Sequence, residues 1–172
     1  MNSKENTNKL YSNCFIGIDP GVNGGVAVIN GPETKVFNIP KEPKDLMRIL
    51  FPYLPLNPVV MLEQVGGRFG DGASRAFNFG VNYGMLTTIL KIMGFCTIYV
   101  TPTVWMKAYS QFIGNSKDYA SKTEWKNALK NHAQALYPDV KLTLKTSDAL
   151  LIAHYAANNY EKICSEQHDD IN

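Results

Sequence analysis

Residues 15–25 read F-I-G-I-D-P-G-V-N-G-G, and this pattern sets how the rest of the chain is read. Phe15, Ile16 and Ile18 form an apolar run that carries one acid, Asp19. Pro20-Gly21 turns the chain, Asn23-Gly24-Gly25 follows, and a second apolar run begins at Val26. The order is strand, tight turn and strand, with turn residues that accept positive φ. It predicts a hairpin of residues 15–19 and 26–29. A carboxylate within so apolar a strand is costly unless it is paired or holds a metal. Asp19 is therefore expected to hold a metal ion, with partners drawn from elsewhere in the chain.

Outward from the hairpin, Asn30-Gly31-Pro32 leads to a third short strand at 35–39. A helix over 45–53 follows, with Leu46, Ile49, Leu50 and Tyr53 on one face, stopped by Pro55 and Pro58. Val59-Val60-Met61-Leu62 is a continuous apolar run ending at Glu63, the pattern of a strand buried on both faces. A glycine-rich loop at 66–72 precedes a long helix over 73–93. Met85, Leu86, Ile89, Leu90 and Met93 give that helix an apolar stripe, while Ala76, Gly80, Gly84 and Thr88 form a ridge of small residues. Such a ridge admits another backbone, either the sheet beneath or a second subunit.

A fifth strand at 95–100 leads to a short helix from Pro102 through Lys107. Ser121-x-x-Glu124 reads as a capping box and opens a helix that buries Trp125, Ala128, Leu129, Ala133 and Leu136. A last helix begins at Thr146-Ser147-Asp148 and packs Leu151, Ala153 and Ala157. The element order predicts an α/β fold, a mixed five-stranded sheet with helices on its faces. Residues 1–14 read as a flexible arm, 15–163 as a single domain and 164–172 as an acidic tail.

The 172-residue length suits one domain with a substantial core, and 45% hydrophobic with 19% charged residues excludes a disordered chain. No apolar run reaches membrane length and the N-terminus is polar, so neither anchor nor secretory signal is expected. Cys14, Cys96 and Cys164 have no metal or redox spacing, and their odd number suits a reducing, cytoplasmic setting. A net charge of +2 does not by itself indicate a nucleic-acid partner. Its distribution is uneven, however. Residues 91–130 hold six lysines against Asp118 and Glu124.

Three acids stand at special places: Asp19 in the first strand, Glu63 at the end of the fourth, and Asp148 in the first turn of the last helix. If the two strands are neighbours, their carboxylates meet at one end of the sheet, and a helix starting there adds the third. Three carboxylates at close range do not all stay ionised without a cation. A hard divalent ion relieves that repulsion, and two such ions serve phosphodiester hydrolysis. Taken singly, Asp148 reads as a cap or dipole contact, Glu63 equally as a strand-end surface acid, and Asp71 as a turn residue. Lys122, Lys126 and Lys130 form a stripe at helical spacing, which alone reads as a solvated face. His154 reads as structural.

G-I-D-P-G near the N-terminus, L-E-Q-V after a buried strand and S-D-A-L-L-I-A opening a late helix together resemble the RuvC-like Holliday-junction resolvases. With F-N-F-G-V-N-Y-G and V-T-P-T-V-W-M-K, the likeness is to the short, phage-encoded versions and runs from about residue 15 to 160. It implies an RNase H-like fold and a homodimer that uses Mg²⁺ or Mn²⁺, two ions per site, to nick paired strands of branched DNA. By position, Asp19, Glu63 and Asp148 match the metal-binding acids, and Lys107 and Lys122 match lysines that handle the junction. Beside such a site, Arg68, Arg75, Lys126 and Lys130 become candidate backbone contacts, and Phe69 a candidate for stacking on an opened base. The chain departs from the pattern at Lys145, where relatives carry a fourth acid or a histidine. The site then uses three acids, or Lys145 acts as a cation near the phosphate.

Other readings are a nuclease on flaps, forks or RNA–DNA hybrids, and a junction-binding protein that does not cut. An actin-like phosphotransferase, which shares the D-x-G turn, needs two such domains.

Overall fold

The computed structural model describes residues 13–66 and 72–169, with side-chain surroundings as far as residue 163. Strand β1 (Cys14–Asp19) pairs antiparallel with β2 (Gly25–Asn30), and β2 pairs antiparallel with β3 (Glu33–Asn38). The expected hairpin is present and begins one residue earlier, at the buried Cys14. Strand β4 (Val59–Glu63) runs parallel to β1, and β5 (Cys96–Val100) parallel to β4. The order β3-β2-β1-β4-β5 is the mixed five-stranded sheet that the element order predicts.

Side-chain alternation along the strands sorts the core into two layers. Ile16, Ile18, Val26, Val28, Val60 and Leu62 face α1 (Pro43–Leu50) and α2 (Ala73–Ile92), meeting Leu46, Leu50, Leu86 and Leu90. Ala27, Ile29, Val59, Met61, Ile98 and Val100 face the other layer. That layer is built from α3 (Pro102–Lys107), the short α4 (Ser110–Ile113), α5 (Lys122–Leu136) and α6 (Ser147–Asp169). Each fully buried leucine or isoleucine in these layers contributes about 1.5–3 kcal/mol, so both faces of the sheet are strongly held.

Several local expectations change. The first helix ends at Leu50 and continues as a 3-10 segment, Phe51–Leu56. Pro52 and Pro55 supply no N–H donor there, so the α-helical ladder cannot run on to Tyr53. Helix α5 has the Ser121 cap, whose Oγ accepts the Glu124 N–H at 3.2 Å. Glu124 reaches back to the Ala120 N–H at 3.1 Å rather than to that of Ser121, so the reciprocal half of the box lies one residue further out. Leu136, expected in the core, is 39% exposed at the helix end, and Ala128 is only half-buried. The small-residue ridge of α2 does not face the sheet: Ala76, Gly80, Gly84 and Thr88 are all exposed.

The β1–β2 turn also differs from its reading. Positive φ occurs at Gly31, Gly94 and Gly114 among the described glycines, not at Gly21, Gly24 or Gly25. Crowding explains the turn glycines instead. A Cβ on Gly24 would lie 2.0 Å from the Asp19 carbonyl oxygen, and one on Gly25 would lie 2.7 Å from that of Lys145. The backbone that approaches the hairpin is thus the chain's own, at the entry to α6.

Candidate metal centre and active-site cleft

The sheet register brings two of the acids together. Ile18 pairs with Leu62 across the parallel β1–β4 ladder, so Asp19 and Glu63 are the next residues at the carboxyl ends of neighbouring strands. Both belong to the alternation set of Gly17, Val59 and Met61, on the face that α6 covers. Gly17 allows α6 to lie directly on β1. A Cβ there would be 2.2 Å from the Ala149 carbonyl oxygen and 2.3 Å from the Ala153 nitrogen. This close seat carries Asp148, in the first turn of α6, to the same end of the sheet. Asp19, Glu63 and Asp148 line one cleft of about 440 Å³, together with Gly21, Asn23, Pro102, Met106, Lys122, Trp125, Lys126 and Leu144.

The acids differ in their surroundings. Asp19 Oδ1 accepts the Gly21 N–H at 2.9 Å, which fixes the carboxylate on its own turn. Glu63 is buried, and its Oε1 accepts the indole N–H of the fully buried Trp105 at 2.9 Å. Burial pushes the Glu63 carboxyl up to about 7; the neighbouring Asp19 adds to the rise, the Trp105 hydrogen bond opposes it, and Asp148 adds again. Asp148 is 2% exposed. Its Oδ2 accepts from the Lys126 ammonium, while its Oδ1 is buried without a hydrogen-bond partner among the described residues. Burial alone would lower the Lys126 ammonium, but Asp148, with Asp19 and Glu63 behind it, outweighs that cost and the net shift is upward.

Among the described residues, no three acidic, histidine or cysteine side chains are gathered tightly enough to hold a metal ion as placed. The donors nevertheless fit a hard divalent cation in kind. Three carboxylates share one cleft, the net electrostatics at Glu63 favour its neutral form, and an Asp148 oxygen is left without a partner. Such a cation takes oxygen ligands and offsets mutual carboxylate repulsion.

The other residues singled out in the sequence scatter around this cleft. Lys122 lines it with Lys126, whereas Lys107 lies in an adjoining groove of about 410 Å³ with Ser110, Asn115 and Ser116. The two depressions share Pro102, Met106 and Trp125. Lys130 is half-buried further along α5, and Arg75 is exposed in the first turn of α2; neither is among the cleft residues. Lys145 is exposed, with its carbonyl packed over the Gly25 position. Lys126 brings its ammonium into contact with one acid of the cleft, Asp148. Arg68, Phe69 and Asp71 lie outside the described residues. His154 sits in an aromatic group, its Nδ1 2.7 Å from the Tyr137 hydroxyl.

Sequence reasoning missed Gly17, Trp105 as the partner of Glu63, and the Lys126–Asp148 contact. A glycine inside a strand is itself a sign of close backbone approach, so Gly17 had a signal. The other two depend on which helix crosses the strand ends, which no local pattern encodes.

The sheet order and the helices on both faces form a RuvC-like fold of the RNase H type. Thermus thermophilus RuvC in complex with a Holliday junction substrate matches with a TM-score of 0.58 at 17% identity, covering 87% of this chain and 95% of that one. A second Thermus thermophilus RuvC structure matches with a TM-score of 0.53 at 19% identity, covering 87% and 96%. At these identities the likeness is one of fold. No protein-family model and no curated protein matches the sequence. Among the described residues, no helix is long and apolar enough to cross a membrane.

Proposed function

We propose that this protein is a divalent-metal-dependent endonuclease that resolves four-way or otherwise branched DNA by paired phosphodiester hydrolysis, acting as a homodimer. The observation that carries the reading is the convergence of Asp19, Glu63 and Asp148, from two parallel strands and a helix start, on one cleft that also holds Lys122 and Lys126. Phosphates supply much of DNA affinity, and lysines beside a hydrolytic centre position the backbone. Asp19, Glu63 and Asp148 would hold Mg²⁺ or Mn²⁺. When bound, the ion supplies charge neutralisation at the scissile phosphate and a more acidic water. Trp105 keeps Glu63 oriented through its indole N–H, and the Asp19–Gly21 contact does the same for Asp19. Lys122 and the groove around Lys107 offer cationic and polar contacts on one side of the cleft. The Holliday junction bound by the Thermus protein supports branched DNA as the substrate class.

The test uses labelled four-way junction, flap and RNA–DNA hybrid, each with Mg²⁺ or with chelator. Symmetric nicks confined to the junction are expected, lost in chelator and lost in Asp19→Asn with junction binding retained. Cutting of the flap or hybrid alone would move the substrate to another class. Tight junction binding without cutting under Mg²⁺ or Mn²⁺ would make the protein a binding module.

A further inference from the structure

Asp148 is held in an incomplete way. Its Oδ2 meets the Lys126 ammonium, yet among the described residues its Oδ1 is buried with no partner, as is the neighbouring Ser147 Oγ. Buried ion pairs that serve only the fold need their remaining lone pairs satisfied, because each unpaired oxygen keeps its desolvation penalty. Here one oxygen is satisfied by a cation and the other waits. The cation is also the more movable partner: the Lys126 side chain is 30% exposed, against 4% for Asp148. Its flexible four-carbon stem springs from α5, one turn after Lys122, and both residues line the open cleft. An ammonium against Oδ2 and a divalent ion liganded by that oxygen exclude each other by charge and by space.

We propose that Lys126 is an internal counter-cation that occupies Asp148 in the metal-free protein and is displaced into the cleft when a divalent ion loads. The inference rests on the metal-dependent reading above. It couples metal and DNA. An ammonium released beside Lys122 becomes available to a backbone phosphate only once the metal is in place, so loading prepares the cleft for substrate.

The test is calorimetric titration of Mn²⁺ into the DNA-free protein, comparing wild type with Lys126→Met, alongside amine-specific labelling of Lys126 read by mass spectrometry with and without Mn²⁺. Displacement predicts that Lys126→Met binds Mn²⁺ at least about fivefold more tightly, the lower end of ordinary coupling between two ligands. It also predicts that Mn²⁺ raises the labelling of Lys126 in wild type. Equal or weaker binding by a folded Lys126→Met, or labelling that Mn²⁺ leaves unchanged, overturns it. Should Lys126→Met not fold, Lys126→Arg decides, because a guanidinium fork grips a carboxylate more firmly and must weaken Mn²⁺ binding; unchanged affinity overturns the proposal. A wild-type protein that binds no divalent ion removes the nuclease reading itself, whereas binding that Lys126→Met leaves unaltered removes the displacement alone.

Discussion

Glu63 shows how much a single carboxylate bears at this site. Burial first and the nearby Asp19 second push its carboxyl up to about 7 from an ordinary 4.5. The folded state therefore binds more protons than the unfolded chain between those values. The stability this confers is complete below about pH 4.5 and is lost as pH rises to about 7. A tenfold change in proton affinity corresponds to about 1.4 kcal/mol, so the loss is on the order of 3.5 kcal/mol at most. Glu63→Gln keeps an acceptor for the Trp105 N–H but carries no charge. In chelator it is expected to be more stable than wild type at pH 8 by up to about 3.5 kcal/mol and nearly equal to it at pH 4.5. Urea unfolding of both proteins across that range checks this, and the titrations of His132 and His154 cancel in the difference. A stability gap that does not vary with pH would contradict the assigned environment. At this scale the sequence was informative about identity and silent about contact. Asp19 stood out because its neighbours are apolar, and Glu63 because it ends a buried run. Nothing local to Lys126 says that Asp148 lies across from it, because they are 22 residues apart and on different helices.

Among elements, the docking of α6 on β1 does most to assemble the site, and it depends on Gly17. The period-two pattern predicted the strands and the 3.6-residue pattern the helices, and both were legible because burial writes itself into alternation. The seat between them was not, since the distance between a strand and a helix depends on one absent side chain. In Gly17→Ala the new methyl would meet the Ala149 carbonyl and the Ala153 nitrogen, both backbone. Neither can move by a rotamer change, so α6 must lift or tilt. A loss of about 3 kcal/mol is expected, at the upper end for overpacking, measured by urea unfolding. Because Asp148 rides on the first turn of α6, the same substitution is expected to weaken Mn²⁺ binding in the protein that remains folded. Full stability in Gly17→Ala would show that the helix has slack and that its register does not set the acid cluster. The glycines of α2 offer a contrast. A Cβ at Gly80 or Gly84 meets nothing within 4 Å, so their spacing marks an outer face, where the sequence had left the sheet and a second subunit as alternatives.

The outer face of α2 bears on how one such domain would make the paired incisions proposed above. On a helical wheel Phe77, Val81, Gly84, Thr88 and Ile92 fall within about 60° of Phe77, opposite Leu86, Ile89, Leu90 and Met93. The second set packs against the sheet, but Phe77 is 72% exposed, Val81 54% and Ile92 75%. A helix apolar on two faces signals a partner on each. The face is long, carries small residues that admit close approach, and belongs to a chain proposed to make paired nicks; a second copy is the occupant we expect. Val81→Asp places a charge at its middle without touching the buried stripe, so the fold is expected to survive. Wild type should sediment at micromolar concentration with twice the chain mass and Val81→Asp with the single mass. On a four-way junction the dimer should cut both strands within one encounter, whereas Val81→Asp should leave singly nicked product. Should Val81→Asp remain dimeric, the contact lies elsewhere on the surface; a wild type that is strictly monomeric would leave paired incision without a structural basis.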